Sequence, residues 1–181
     1  ISKTKEALDW FRSQAVKASL PGLHLQLVIK NHVKNLSGID SSSKCAINEA
    51  CKLLEFDSVS NYQYCHIVDI DRDYPEILND VIDYWYRTDS EYNVPYFPHV
   101  SVGWDNNPRF KEFKPGIVKN ATPENIKKAF IEAKKFIDQH KDRPPLITVN
   151  SWNEWTETSY LQPDDFYGYG YLQAIKDVFK K

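Results

Sequence analysis

Glu154 and Glu157 lie three positions apart in SWNEWTETSY, residues 151–160, among Trp152, Asn153 and Trp155 and directly after the apolar run LITVN. Residues three apart on a regular strand point to opposite faces. The two carboxyl groups share a cavity only if the chain turns after Asn153, as it must where a buried strand gives way to a loop. Cleavage of a glycosidic bond needs such a pair: one group protonates the leaving oxygen, and the other acts as nucleophile or base. The tryptophans add flat faces on which sugar rings stack, and Asn153 and Trp155 add polar atoms beside them. The plain alternative is a solvated loop in which both carboxylates face water.

A second group, WDNNPR at 104–109, also sits where a strand should end. Trp104 suits a stacking wall, and Asp105 and Asn106 suit sugar hydroxyls. Arg109 either orients Asp105 or meets an anionic sugar. Read as a turn, the same residues do something simpler: Asp105 and Asn106 cap backbone amides and Trp104 fills core. Tyr62, closing FDSVSNY, either lines the same pocket or packs with its hydroxyl satisfied. His99 has the same two readings, cavity or hydrogen-bonded core, and the core is favoured. DIDRD at 69–73 lacks the twelve-residue loop and closing Glu of a calcium site, so no metal is expected. Neither a Gly-rich phosphate loop nor a nucleophile–histidine arrangement is legible, and no cofactor is implied.

The elements that must position these groups alternate. Residues 4–19 carry Leu8, Phe11, Ala15 and Ala18 on one side of a helix, ended by Pro21-Gly22. Strands are expected at 23–29, 56–62, 96–104 and within LITVNSW, 146–152. The Ser/Gly/Asp stretch 37–43 leads into a helix over 44–54. Asp73-Tyr74-Pro75-Glu76 reads as a capped helix start, with Ile77, Val81, Ile82 and Trp85 inward. Thr122-Pro123-Glu124 opens the clearest helix, with Ile126, Ala129, Phe130, Ala133 and Ile137 inward. Tyr167 to Tyr171 form the entry to a last helix ending at Phe179. Helices alternating with strands predict an α/β fold with a covered parallel sheet. Four such strands fit a small open sheet, or the C-terminal half of a (β/α)8 barrel whose site lies at the strands' carboxyl ends.

With a net charge of -2 and lysines spread along 181 residues, neither nucleic acid nor an anionic membrane is expected as the main partner. No apolar run approaches a membrane span. Cys45, Cys51 and Cys65 are odd in number and match no metal motif, and the sequons at Asn35 and Asn120 matter only in a secreted chain. Localisation stays open. The chain starts at Ile1 and has no methionine, which reads as a piece of a longer chain or a processed product.

SVGWDNNPR, then ATPEN, then ITVNSWNEWTETSYLQPDDFYGYGYLQAI resemble the carboxyl-terminal half of glycoside hydrolase family 99-like domains, which include WbsX-type proteins found near polysaccharide biosynthesis genes. The resemblance implies that residues 1–181 are one domain holding about the last four strands of a (β/α)8 barrel. It implies a retaining, endo-acting hydrolase of α-mannosides that needs no metal. By it Glu154 assists attack by the substrate's own 2-hydroxyl, through an epoxide-like intermediate, and Glu157 serves as acid and then base. The family usually has Gly after the second glutamate, where this chain has Thr158; a side chain there constrains the turn or narrows the pocket. The implied partners are an oligosaccharide or polysaccharide, and either a missing amino-terminal barrel half or a second chain that closes the sheet. Two other expectations stand beside hydrolysis. One is a glycan-binding or assembly module using Trp104, Trp155 and Tyr62 without chemistry. The other is a glycosyltransferase domain, which should bind a sugar nucleotide.

Overall fold

The computed structural model describes residues 1–30 and 43–180. Asn35, His32, the side chain of Cys45 and most of the 37–43 stretch lie outside the described residues. Helix α1 (Ser2–Lys17) leads to strand β1 (Gln26–Ile29), then α2 (Ser43–Leu54), β2 (Ser58–Asn61), α3 (Tyr74–Glu91) and β3 (His99–Ser101). Helix α4 (Pro123–Gln139) and β4 (Thr148–Asn150) follow, then a short hairpin of β5 (Asn153–Glu154) and β6 (Ser159–Tyr160), and α5 (Gly170–Phe179). The alternation is the expected one; each strand is shorter than its apolar run.

β1 pairs parallel with β2, Leu27 opposite Val59, and β3 pairs parallel with β4, Val100 opposite Val149. A parallel bridge between Val59 and Tyr96 joins the two pairs, with Val59 N–H donating to Pro95 O and Phe97 N–H to Val59 O, both at 2.9 Å. Neighbouring strands therefore follow chain order. Alternation gives the strands two unlike faces. Val59, Tyr96, Val100 and Val102 join the apolar cluster with Ile77, Val81 and Trp85 of α3 and Ile126, Phe130 and Phe136 of α4. Ser58, Ser60, His99 and Ser101 point the other way and are buried as well. Ser60 Oγ donates to Phe97 O at 2.9 Å, and Ser101 Oγ accepts from Tyr64 N–H at 3.1 Å.

Three expectations change in detail. On α1 only Ala15 is buried; Phe11, at 53% exposure, and Ala18 face out, because among the described residues the helix docks chiefly on α2 through Arg12, whose guanidinium donates to the carbonyls of Leu54 and Glu55. Asp73 stands at the N-cap of α3, yet its side chain caps nothing. The amide such a cap would hold, Glu76 N–H, bonds to the Asp73 carbonyl at 3.0 Å, and Tyr74 N–H donates to Lys119 O at 2.8 Å, in a parallel bridge that ties the helix start to the loop before α4. On α4 the deeper aromatic is Phe136, which packs edge-on against Trp85 and Tyr96, while Ile137 is half-buried. Among the described residues no helix is long and apolar enough to cross a membrane.

Candidate active site

The chain leaves β4 through a cis Asn150–Ser151 peptide and turns at once, earlier than the position after Asn153 that the sequence suggested. Ser151 Oγ donates to Ser159 O at 2.7 Å and accepts from Glu154 N–H at 3.1 Å, which pins the hairpin to its own base. Ser159, fully buried, places Oγ 3.0 Å from Asn150 O and 2.9 Å from Asn150 Oδ1. Gln63 Nε2 reaches Asn150 Oδ1 and Ser159 Oγ, and Asn150 Nδ2 donates to the Tyr62 hydroxyl at 3.2 Å. A buried amide and hydroxyl network thus fixes the hairpin over the ends of β2 and β4. Between its strands lies the single turn Trp155–Glu157, with Glu154 just before it and Glu157 its last residue, and Thr158 closes it in the left-handed region at φ 49°.

The segment after β3 runs alongside. Asp105 N–H donates to Glu157 O at 2.8 Å, and Thr158 Oγ1 donates to Asp105 O at 3.2 Å. Gly103 permits this approach, since a Cβ there would overlap the carbonyl oxygen of Thr158. Asp105 Oδ1 accepts from Asn107 N–H and Asn107 Nδ2, at 2.9 and 2.7 Å, the geometry of the turn reading. Asn106 Oδ1 is buried without a partner. Trp104 is half-buried and packs on the core.

Arg109 joins the two glutamates. Nη1 donates to Glu157 Oε1 at 2.8 Å, Nη2 to Glu154 Oε2 at 3.0 Å and Nε to Thr156 Oγ1 at 2.9 Å. Within the protein it orients this pair rather than Asp105. Glu157 is 8% exposed and its Oε2 is buried with no hydrogen-bond partner. The Glu154 side chain is 45% exposed. Tyr62 faces the same charges: burial first, then the negative charge of Glu157 and of Glu154, raise its phenol above the usual range. Its ring stacks on His66 at 5.6 Å and lies under Lys30 Nζ at 4.6 Å. Burial, helped by Glu157, pushes the Cys65 thiol up to about 11. Trp155 stacks on Tyr160 at 3.8 Å and donates from Nε1 to Gln162 at 2.7 Å, while Trp152 and Asn153 are exposed beside it.

The structure therefore brings Glu154, Glu157, Arg109 and Tyr62 together and sets Trp155 and Asn153 at the hairpin's rim. Asp105 serves mainly its own turn. Gln63, Asn150, Ser151, Thr156 and Ser159 were not singled out from the sequence. Asn150 sits at an inward position of TVN, where a search for apolar faces passes over a polar residue; Gln63, Ser151, Thr156 and Ser159 lie outside SVSN, HVS and TVN and lack even that signal. Among the described residues no group of three His, Cys, Asp or Glu side chains could hold a metal ion.

A family model described as "Glycosyltransferase WbsX" matches residues 1–175, a span that contains Arg109 and both glutamates. The chain belongs to the WbsX family. Two curated relatives, each called "Uncharacterized protein WxcX", come from Xanthomonas campestris pv. campestris strains B100 and ATCC 33913. Each is 29% identical over 86 residues, which is 47% of this WbsX-family chain and 12% of the relative. A solved structure titled "Glycoside hydrolase-like protein" superposes with a TM-score of 0.65 at 16% identity, covering 98% of this chain and 50% of that one. At that identity the likeness shows the fold, and the chain spans about half the length of the structure it matches.

Proposed function

We propose that this WbsX-family chain forms, as a single domain over residues 1–181, the carboxyl-terminal half of a (β/α)8 barrel and acts on a glycan through Glu154 and Glu157. Support for the barrel comes from four parallel strands in chain order with a helix between each pair, and from a glycoside hydrolase-like neighbour of twice the length. The observation that carries the site is that one guanidinium holds both carboxylates where the strands end. The resemblance to family 99-like domains supplies the reaction, retaining endo-cleavage of α-mannosides. Glu154 takes the proton of the substrate's 2-hydroxyl as that oxygen attacks the anomeric carbon. Glu157 gives its proton to the leaving glycosidic oxygen. Water then opens the epoxide-like intermediate; Glu157 accepts the water's proton and Glu154 returns one to O2. Trp104, Trp155, Asn153, Asn106 and Tyr62 line the path of the sugar.

E154Q and E157Q in the full-length natural protein test this on α-mannan oligosaccharides. Loss of a positioned acid or base lowers turnover about a hundredfold or more, with the fold intact by circular dichroism. Equal rates in wild type and both variants would end the hydrolase reading. The exposed Trp152 and Trp155 favour a second reading, a glycan-binding or assembly module; oligosaccharide binding would then survive both changes and no product would form. The family's description as a glycosyltransferase supports the transferase reading, which requires sugar-nucleotide binding in the same assay.

A further inference from the structure

A guanidinium is planar and carries five N–H donors in fixed directions. In Arg109 three of them meet three oxygens that all belong to residues 154–157: Glu154 Oε2, Thr156 Oγ1 and Glu157 Oε1. The arginine's own backbone is fixed in turn. It ends the single-turn helix Asn107–Arg109, where Asn107 bonds to Asp105, donates to Lys114 O at 3.0 Å and accepts from Lys114 N–H at 2.6 Å. The donor is thus preorganised by one loop and its acceptors by another.

The Glu154 half of the contact does little for the fold, while Glu157, 10% exposed at the side chain, is the drier partner. Arg109 and Glu154 are 40% and 45% exposed at the side chain, and ion pairs so wet contribute little to stability. The hairpin already rests on Ser151, Ser159, Asn150 and Gln63. Its effect falls instead on the carboxylates, which would repel one another without a shared cation and would be free to turn on their own torsions. Each gives one oxygen to Arg109, and the second oxygen of Glu157, Oε2, is buried and unpartnered.

We propose that Arg109 is the positioning residue of the pair: it fixes the mutual placement of Glu154 and Glu157 rather than binding the sugar. This rests on the functional reading above only for what the pair then does; the clamp itself is a property of the protein alone.

Methylguanidinium tests it. In the full-length natural protein R109A opens a gap bordered by the three oxygens, and the small cation should fill it. Saturation-transfer NMR is expected to find methylguanidinium bound about tenfold tighter to R109A than to wild type, the scale of a charge-assisted hydrogen bond, and the gain lost again in R109A/E157Q. Cleavage or binding of α-mannan oligosaccharide should fall in R109A and return as methylguanidinium is added. R109K should not restore it, because an ammonium cannot span three fixed acceptors, although its melting temperature stays near that of wild type. R109A binding the cation no better than wild type would overturn the proposal, as would full oligosaccharide handling in R109K. If the cation fills R109A as expected while wild type neither binds nor cleaves any oligosaccharide, the clamp stands and the glycan reading falls.

Discussion

His99 shows at the scale of one side chain what a polar inner face costs. Its Nδ1 lies 2.8 Å from Thr148 Oγ1, Nε2 meets no partner, and burial pushes the imidazole down to about 4. In the unfolded chain the ring takes up its proton near 6.5. Between those values the unfolded state binds a proton that the folded state refuses, so stability is full above about pH 6.5 and declines as pH falls toward 4. The loss at the lower end is on the order of 3 kcal/mol for a shift of this size. Urea unfolding between pH 7.5 and 4.5 should show the midpoint dropping more steeply in wild type than in H99Q, which keeps a polar group near Thr148 and cannot take the charge. Parallel slopes would mean that His99 is not the group responsible. The sequence placed His99 in the third strand and favoured a core histidine over a cavity one; its partner, Thr148 on the adjacent strand, needed the sheet to be seen.

At the scale of elements, helices were more legible than strands, and the two N-caps explain part of why. Thr122 and Asp73 carry the same local signal, a capping side chain followed by proline and glutamate within three positions. Only Thr122 uses it, its Oγ1 accepting from Asn125 N–H at 3.3 Å. At Asp73 the amide within capping reach, Glu76 N–H, bonds to the Asp73 carbonyl at 3.0 Å. The helix start is tied instead through Tyr74 N–H to the carbonyl of Lys119, a contact more than forty residues away that no window along the chain reveals. T122A should therefore lower stability by about 1 kcal/mol, and D73A by only a few tenths. Thermal melts of the two variants would decide it, and an equal loss would contradict the assignment. The same limit applies to the site. The E-x-x-E spacing and its place after a buried run were readable, because a carboxylate pair among tryptophans is a local pattern. That Arg109, 45 residues earlier, lies between them was not, since its position depends on β3 and β4 lying side by side.

For the whole molecule the two flanks of the strand set matter most. Beyond β4, Phe130, Ile137, Ile147, Val149, Ile175 and Phe179 line a groove of about 440 Å³ between α4 and α5. On the side of β1, Val28 is exposed, and so are Trp10, Phe11 and Val16 of α1. Apolar surface of that extent, next to strands with unpaired backbone groups, is what another chain or another part of the same chain would cover. In a completed barrel both flanks are covered at once, because the preceding strands and helices pack on β1 and on β4. Residues 1–181 produced alone should then associate through these surfaces, sedimenting at tens of micromolar as species heavier than one chain. F11E/V16E on one flank and I175E/F179E on the other should each reduce that association while leaving the helical signal unchanged, because these side chains lie outside the fully buried core. A wild-type chain that sediments as a monomer would mean that the flanks are stable in water as they stand. The half-barrel reading would then give way to a small open sheet, with Glu154 and Glu157 at its rim instead of inside a closed cavity.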